Sequence, residues 1–216
     1  MGFITYNDTN GMGTTETIMK PVNIGIIGLG NVGTGALSVM QGNAAQIAAK
    51  LGFPLCVRAV CSRSLDSPSL PGLDGALRTT DWREVAAHPD VEIVVELVGG
   101  TTTARQIIET AIDRGKSVVT ANKELMALRG AELWDRAIAA RVNLAMEASV
   151  AGGIPIHAVL REGISGDRLR TLYGILNGTC NYILTEIEQR GANFADVLAE
   201  AQKAGYAEAD PSADVD

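Results

Sequence analysis

From Val22 the chain reads V-N-I-G-I-I-G, a nearly unbroken apolar run that predicts a buried strand ending at Gly28. Glycines turn the chain there, and small and apolar residues then recur with helical spacing to about Lys50. The same alternation follows. "PLCVRAVCSR" predicts a second strand and a polar loop follows it; "DWREVAAHPD" predicts a short helix capped by Asp81 and "VEIVVELVGG" a third strand. "TTARQIIETAIDRG" predicts a helix ended by Gly115, "KSVVTAN" a fourth strand, "KELMALRGAELWDRAIAAR" a helix and "VNLAME" a closing strand. Strands that are apolar throughout and alternate with helices predict a parallel sheet covered on both faces. Residues 21–146 are thus expected to form a Rossmann-type doubly wound α/β domain.

After Glu147 the texture changes. A Gly-rich turn, "ASVAGG", leads to a helix with Pro155 in its first turn. "DRLRTLYGILNG" predicts a longer strand, "TCNYILTEIEQRG" a helix, and "NFADVLAEAQKAG" another from an Asn cap. The chain closes on "YAEADPSADVD". Residues 147–216 are expected to begin a second, α+β domain that stops before it closes on itself. Residues 1–20, polar and rich in Gly and Thr, lack the basic start and apolar centre of a signal peptide. They are expected to be a flexible leader, with Met19 as a natural start.

Composition narrows the partners. Eighteen Lys and Arg against 25 Asp and Glu give a net charge of −7, with no basic run, which argues against nucleic acid or an anionic membrane. No apolar stretch approaches the roughly 20 residues needed to cross a bilayer. The three cysteines, Cys56, Cys61 and Cys180, form no CxxC pair or ligand cluster, which fits reduced thiols in the cytoplasm. Cys56 and Cys61 read as buried filler, Cys180 as a small packed side chain, and His88 and His157 as loop and helix surface residues.

The loop "GLGNVG" matches GxGxxG between a strand and a helix. Gly28 permits the tight turn, Gly30 lets backbone approach a pyrophosphate, and Gly33 allows helix and strand to pack closely. With Leu29, Asn31 and Val32 between them, these residues would present helix N-terminal amides to phosphates. The alternative is a glycine turn without a ligand. At the end of the second strand an acid would bind the ribose hydroxyls of NAD, whereas an arginine would neutralise the extra phosphate of NADP. "AVCSRS" supplies Arg63 and no acid, favouring NADP, although Asp66 keeps NAD open and Arg63 also reads as a solvated loop charge. The far wall of the crevice is expected from Gly99, Gly100 and Thr101. Glu96, on an otherwise apolar strand, would be costly to bury without a partner; capping the glycine turn accounts for it without a catalytic role.

Taken with the glycine loop, "TANKELMA", "EASVAGGIPI", "GILNGTCNYIL" and the terminal "GYAEADPSADV" resemble homoserine dehydrogenase, in unbroken order from about Val22 to Asp216. That enzyme interconverts L-aspartate 4-semialdehyde and L-homoserine with a nicotinamide cofactor, on the route to methionine and threonine. The resemblance implies that Lys123 lies beside nicotinamide and substrate, where a cation can polarise the substrate oxygen during hydride transfer. A bare surface lysine there would face the positive end of its own helix dipole, which is unfavourable. The resemblance places a monovalent-cation site, such as one for sodium, on Glu147, Val150, Gly152 and Ile154, held largely through carbonyl oxygens. It also implies that residues 147–216 begin a substrate and dimerisation domain, with a substrate contact at Glu208, an acid near the amino-acid end at Asp214, and pocket walls at Gly178, Thr179 and Tyr206. Read without it, "YAEADPSADVD" is a solvated acidic loop.

One departure matters: the family carries an acid and a second lysine, usually assigned the proton transfer, shortly beyond the point where this chain stops. The expected function is therefore an NAD(P)-dependent oxidoreductase acting on a small molecule, in a parent enzyme that is a homo-oligomer. The alternatives are a non-catalytic NADP-binding fragment or pseudoenzyme, and a dehydrogenase for another small amino-acid aldehyde.

Overall fold

A computed structural model describes residues 20–63, 73, 75–174, 178–204, 206–207 and 211. The chain divides after Ile154 into two compact units. In the first, six strands, β1 (Val22–Ile27), β2 (Leu55–Cys61), β3 (Leu77–Thr79), β4 (Ile93–Glu96), β5 (Ser117–Thr120) and β6 (Leu144–Ala145), form one sheet in the order β3-β2-β1-β4-β5-β6. Every pairing is parallel. The connections carry helices α1 (Asn31–Gly42), α2 (Ala44–Leu51), α3 (Trp82–Ala87), α4 (Thr102–Asp113) and α5 (Lys123–Ala139). The strand order reverses at β1, the topological switch point of a doubly wound fold.

Alternation along the strands explains why both faces are covered. Ile24, Ile26 and Val60 point to one side, where Leu37 of α1 joins them. Ile27, Val94 and Val118 point to the other, against Ile107, Ile108, Leu125 and Leu133 of α4 and α5. Each of the fully buried isoleucines contributes on the order of 2 kcal/mol by leaving water. Gly25 sets how closely α3 approaches: a β-carbon there would lie 2.6 Å from the Val85 side chain. Asp81 caps α3 as expected, accepting from the Arg83 amide at 3.0 Å.

Four local expectations change. The helix expected from the glycine loop to Lys50 breaks at Asn43, whose side-chain amide donates to the Val39 carbonyl at 2.9 Å beside the backbone amide of the same residue. That local bond offers the backbone an alternative to a further helical turn. The three-residue β3 lies in what reads as a polar loop, too short to show a period. The closing strand shortens to Leu144–Ala145, because Glu147–Ser149 turn as a 3-10 helix. Cys61 is buried as expected, whereas Cys56 is only half-buried.

The second unit holds a short helix, α6 (Ile156–Ala158), a π-turn over Val159–Gly163, and helices α7 (Gly178–Arg190) and α8 (Phe194–Ala204). Asn193 caps α8 through the Asp196 amide at 3.0 Å, as its position predicts. The strand expected from Asp167 does not form over residues 168–174. A strand persists only where its backbone groups are paired; among the described residues the second unit supplies no strand to pair with, and Leu169, Leu172 and Tyr173 are exposed.

Candidate functional site

Because all six strands run the same way, their C-terminal ends share one edge of the sheet. The glycine loop follows β1, Arg63 follows β2, Gly99 to Thr101 follow β4, Lys123 follows β5 and Glu147 follows β6. Topology alone therefore brings the first unit's candidate residues to the crevice edge where such sheets bind ligands.

The three loop glycines differ in what surrounds them. Gly28 has φ +106°, donates its amide to the Cys61 carbonyl at 2.9 Å, and lies so close to the next strand that a β-carbon would sit 2.5 Å from the Leu97 oxygen. At Gly33, buried in α1, a β-carbon would come within 1.9 Å of the Gly28 oxygen. Gly30 caps α1, and a β-carbon there would meet nothing within 4 Å. Two glycines thus permit close packing and the third leaves open space before the first amides of a helix that no cap side chain satisfies. This is the shape and polarity that a pyrophosphate requires, so the residues present fit a dinucleotide. Asn31 and Val32 are exposed at the helix start, and Leu29 is half-buried against the α1 side of the core.

The wall beyond β4 is tied to that beyond β5. Glu96, fully buried, is in register with Thr120, also fully buried. One carboxylate oxygen of Glu96 accepts from the Val98 amide at 2.8 Å and the other from the Thr120 hydroxyl at 2.6 Å. Glu96 therefore caps the turn into Gly99 and Gly100, whose φ angles are +72° and +67°. The Thr120 oxygen accepts from the Asn122 amide at 3.1 Å. The Asn122 side chain donates to the Gly100 carbonyl at 2.7 Å and caps α5 by accepting from the Leu125 amide at 3.0 Å. Lys123 is the first residue of α5 and is exposed.

Arg63 is exposed just past the end of β2. Thr101 precedes α4 without capping it through its side chain. A groove of about 440 Å³ between α4 and α5 is lined by Thr101, Arg105, Gln106, Leu128 and Arg129 among others. Its arginines are engaged: Arg105 bonds Glu109 at 2.8 Å and Glu132 at 2.6 Å, and Arg129 lies 3.7 Å from Glu132. The groove is therefore an ion-paired helix interface, not an open anion site. At the crevice, burial pushes the Cys61 thiol up, and Asp81 and Glu84 add to the shift, so it is a poor nucleophile.

The Glu147–Ile154 turn belongs to the first unit. It comprises two 3-10 turns, Glu147–Ser149 and Ala151–Gly153, with Ala151 at φ 52° and Gly152 at φ 55°. Among the described residues no group of three or more His, Cys, Asp or Glu gathers to hold a metal. A cation at this turn would depend on carbonyl oxygens. In the second unit, Thr179 and Tyr206 meet: the Thr179 hydroxyl donates to the Tyr206 carbonyl at 2.6 Å, and the rings of Tyr182 and Tyr206 lie 5.1 Å apart. Gly178 opens α7. Glu208, Asp214 and Asp66 lie outside the described residues.

Thr120 and Asn122 are the site residues that sequence reasoning left unassigned. A signal existed. Each of the apolar strands β4 and β5 ends on one buried polar residue, and an Asn directly before "KELM" is a helix-cap pattern.

Comparison with known proteins places the chain in a family. Residues 28–147 match the family model for the homoserine dehydrogenase NAD binding domain, and residues 155–216 match the homoserine dehydrogenase model. Homoserine dehydrogenases of Neisseria gonorrhoeae and Pseudomonas aeruginosa are each 46% identical over 198 residues, covering 92% of this chain and 45% of theirs. The crystal structure of a homoserine dehydrogenase from Thiobacillus denitrificans superposes with a TM-score of 0.83 at 46% identity, covering 92% of this chain and 46% of that one. A hyperthermophilic archaeal homoserine dehydrogenase in complex with NADPH gives 0.75 at 26% identity, covering 91% and 65%. This chain spans about half the length of the bacterial relatives. Among the described residues no helix is long and apolar enough to cross a membrane. On the match of its coenzyme domain, the chain belongs to the homoserine dehydrogenase family.

Proposed function

We propose that the chain serves the interconversion of L-aspartate 4-semialdehyde and L-homoserine with NADP(H), in the cytoplasm, as part of methionine and threonine biosynthesis. The observation that carries this reading is the division of labour among Gly28, Gly30 and Gly33, which leaves open space over the N-terminus of α1 at the switch point of the sheet. The bound nicotinamide supplies or accepts the hydride. The protein supplies placement and charge. Amides at Gly30 to Gly33 hold the pyrophosphate, with Leu29 beneath the turn; Gly100 and Thr101 bound the crevice. Arg63 pairs with the extra phosphate of NADP, a choice supported by its place after β2 and by the archaeal relative that binds NADPH. NAD is the weaker ligand on this reading.

Lys123 is the catalytic residue of this part of the chain. Its ammonium orients coenzyme and substrate and stabilises negative charge on the substrate oxygen. Glu208 accepts hydrogen bonds from the substrate's ammonium group, Asp214 helps hold the amino-acid end, and Gly178, Thr179 and Tyr206 wall the pocket. Carbonyls at Glu147, Val150, Gly152 and Ile154 hold a monovalent cation that stiffens the turn closing the first unit, ahead of the substrate domain. The working protein is a homo-oligomer.

Following NADPH consumption with aspartate 4-semialdehyde, by this chain and by a form extended to its relatives' length, tests the reading. Turnover that falls about 100-fold in kcat/KM on Lys123→Met supports it. NADPH binding without turnover in either form favours the alternative, a non-catalytic NADP-binding chain.

A further inference from the structure

Glu96 is fully buried, and both its carboxylate oxygens accept hydrogen bonds. One accepts from the Val98 amide and the other from the Thr120 hydroxyl. Thr120 accepts the Asn122 amide, and Asn122 returns to the Gly100 carbonyl, closing a ring across the ends of β4 and β5. The ring touches two ligand-facing segments. On one side, Val98 and Leu97 form the surface against which the backbone of Gly28 packs. On the other, Asn122 is the cap from which Lys123 and α5 begin. An all-apolar pair at positions 96 and 120 would satisfy the core equally well and would leave both turns to drift. Burying a carboxylate costs several kcal/mol unless its acceptors are filled, so here the filled acceptors fix geometry rather than add net stability.

We propose that Glu96 is a positioning residue for the coenzyme: through Thr120 and Asn122 it holds the Val98–Gly100 turn and the Lys123 turn at the separation that a nicotinamide dinucleotide spans. The inference rests on the coenzyme reading given above. It assigns Glu96 no contact with the coenzyme. A loosened ring misplaces two walls at once, and a site about 1 Å too loose loses affinity without losing its fold.

The test is NADPH affinity, by fluorescence titration, set beside melting temperature for the same proteins. Glu96→Gln puts an amide donor against Thr120, and Thr120→Val deletes the hydroxyl at constant shape; each is expected to weaken NADPH binding about tenfold or more. Thr120→Ser restores the hydroxyl and is expected to stay within about twofold of the parent. Should either core variant fail to fold, Asn122→Ser keeps a helix cap but loses reach to Gly100, and the same weakening is expected. Ile108→Val, in the core away from the ring, is the control for stability loss alone: its melting temperature falls while its affinity holds. Parent-like affinity in the folded Thr120→Val or Asn122→Ser protein overturns the positioning role and leaves the coenzyme reading standing. Failure of the parent chain to bind NADPH overturns both.

Discussion

The α-carbon of Gly33 is pressed against the carbonyl of Gly28 so closely that a β-carbon at position 33 would stand 1.9 Å from that oxygen. The contact joins the first turn of α1 to the end of β1 and fixes the angle at which the helix leaves the sheet. Nothing comparable surrounds Gly30, only three residues earlier. Gly33→Ala is accordingly expected to lower the melting temperature and coenzyme affinity together. Gly30→Ala, at φ −75°, is expected to keep the melting temperature nearly unchanged and to lose NADPH affinity, because the methyl group occupies the approach of the pyrophosphate. Thermal melts with and without NADPH separate the two.

The proposed coenzyme choice rests on Arg63, exposed just past the end of β2. Arg63→Ser is expected to weaken NADPH binding by about tenfold, roughly 1.4 kcal/mol, and to leave NADH within about twofold. Parallel titrations with the two nucleotides read the outcome; equal losses for both would remove Arg63 from the selection.

Lys116 is buried at the opposite end of β5, donating to the carbonyls of His88 and Val91, the latter at 2.7 Å. Burial lowers its pKa below the ordinary 10.5, Arg114 adds to the shift and Asp90 opposes it. Between the lowered folded value and 10.5 the native state holds fewer protons than the unfolded chain, so this group's contribution to stability rises with pH across that window. Lys116→Met is expected to cost about 1–3 kcal/mol near neutrality, by stranding the buried Val91 carbonyl, whereas the His88 carbonyl keeps the Val91 amide. The margin of the parent over the variant should widen as pH approaches 10.5 from below. Denaturant unfolding of both proteins across alkaline pH measures it.

The sheet was legible because parallel strands buried on both faces are written as continuous apolar runs, and β1, β2, β4 and β5 fall where those runs lie. What escaped was set by context. β3 is three residues long and exists because β2 offers an edge to pair with. The break at Asn43 depends on one side-chain amide reaching one carbonyl. Residues 168–174 carry a strand's composition, but among the described residues the second unit supplies no strand to pair with. At the site, glycine spacing and the position of Lys123 could be read directly. The joining of Glu96 to Thr120 required the register of β4 on β5, which no periodicity encodes.

A crystal structure of the chain grown with NADPH would show where the nucleotide lies. The pyrophosphate is expected on the amides of Gly30 to Gly33, the 2′-phosphate beside Arg63 and the Lys123 ammonium on the nicotinamide side of the crevice. Nucleotide bound elsewhere, or a Lys123 side chain turned away from the bound nicotinamide, would contradict this placement.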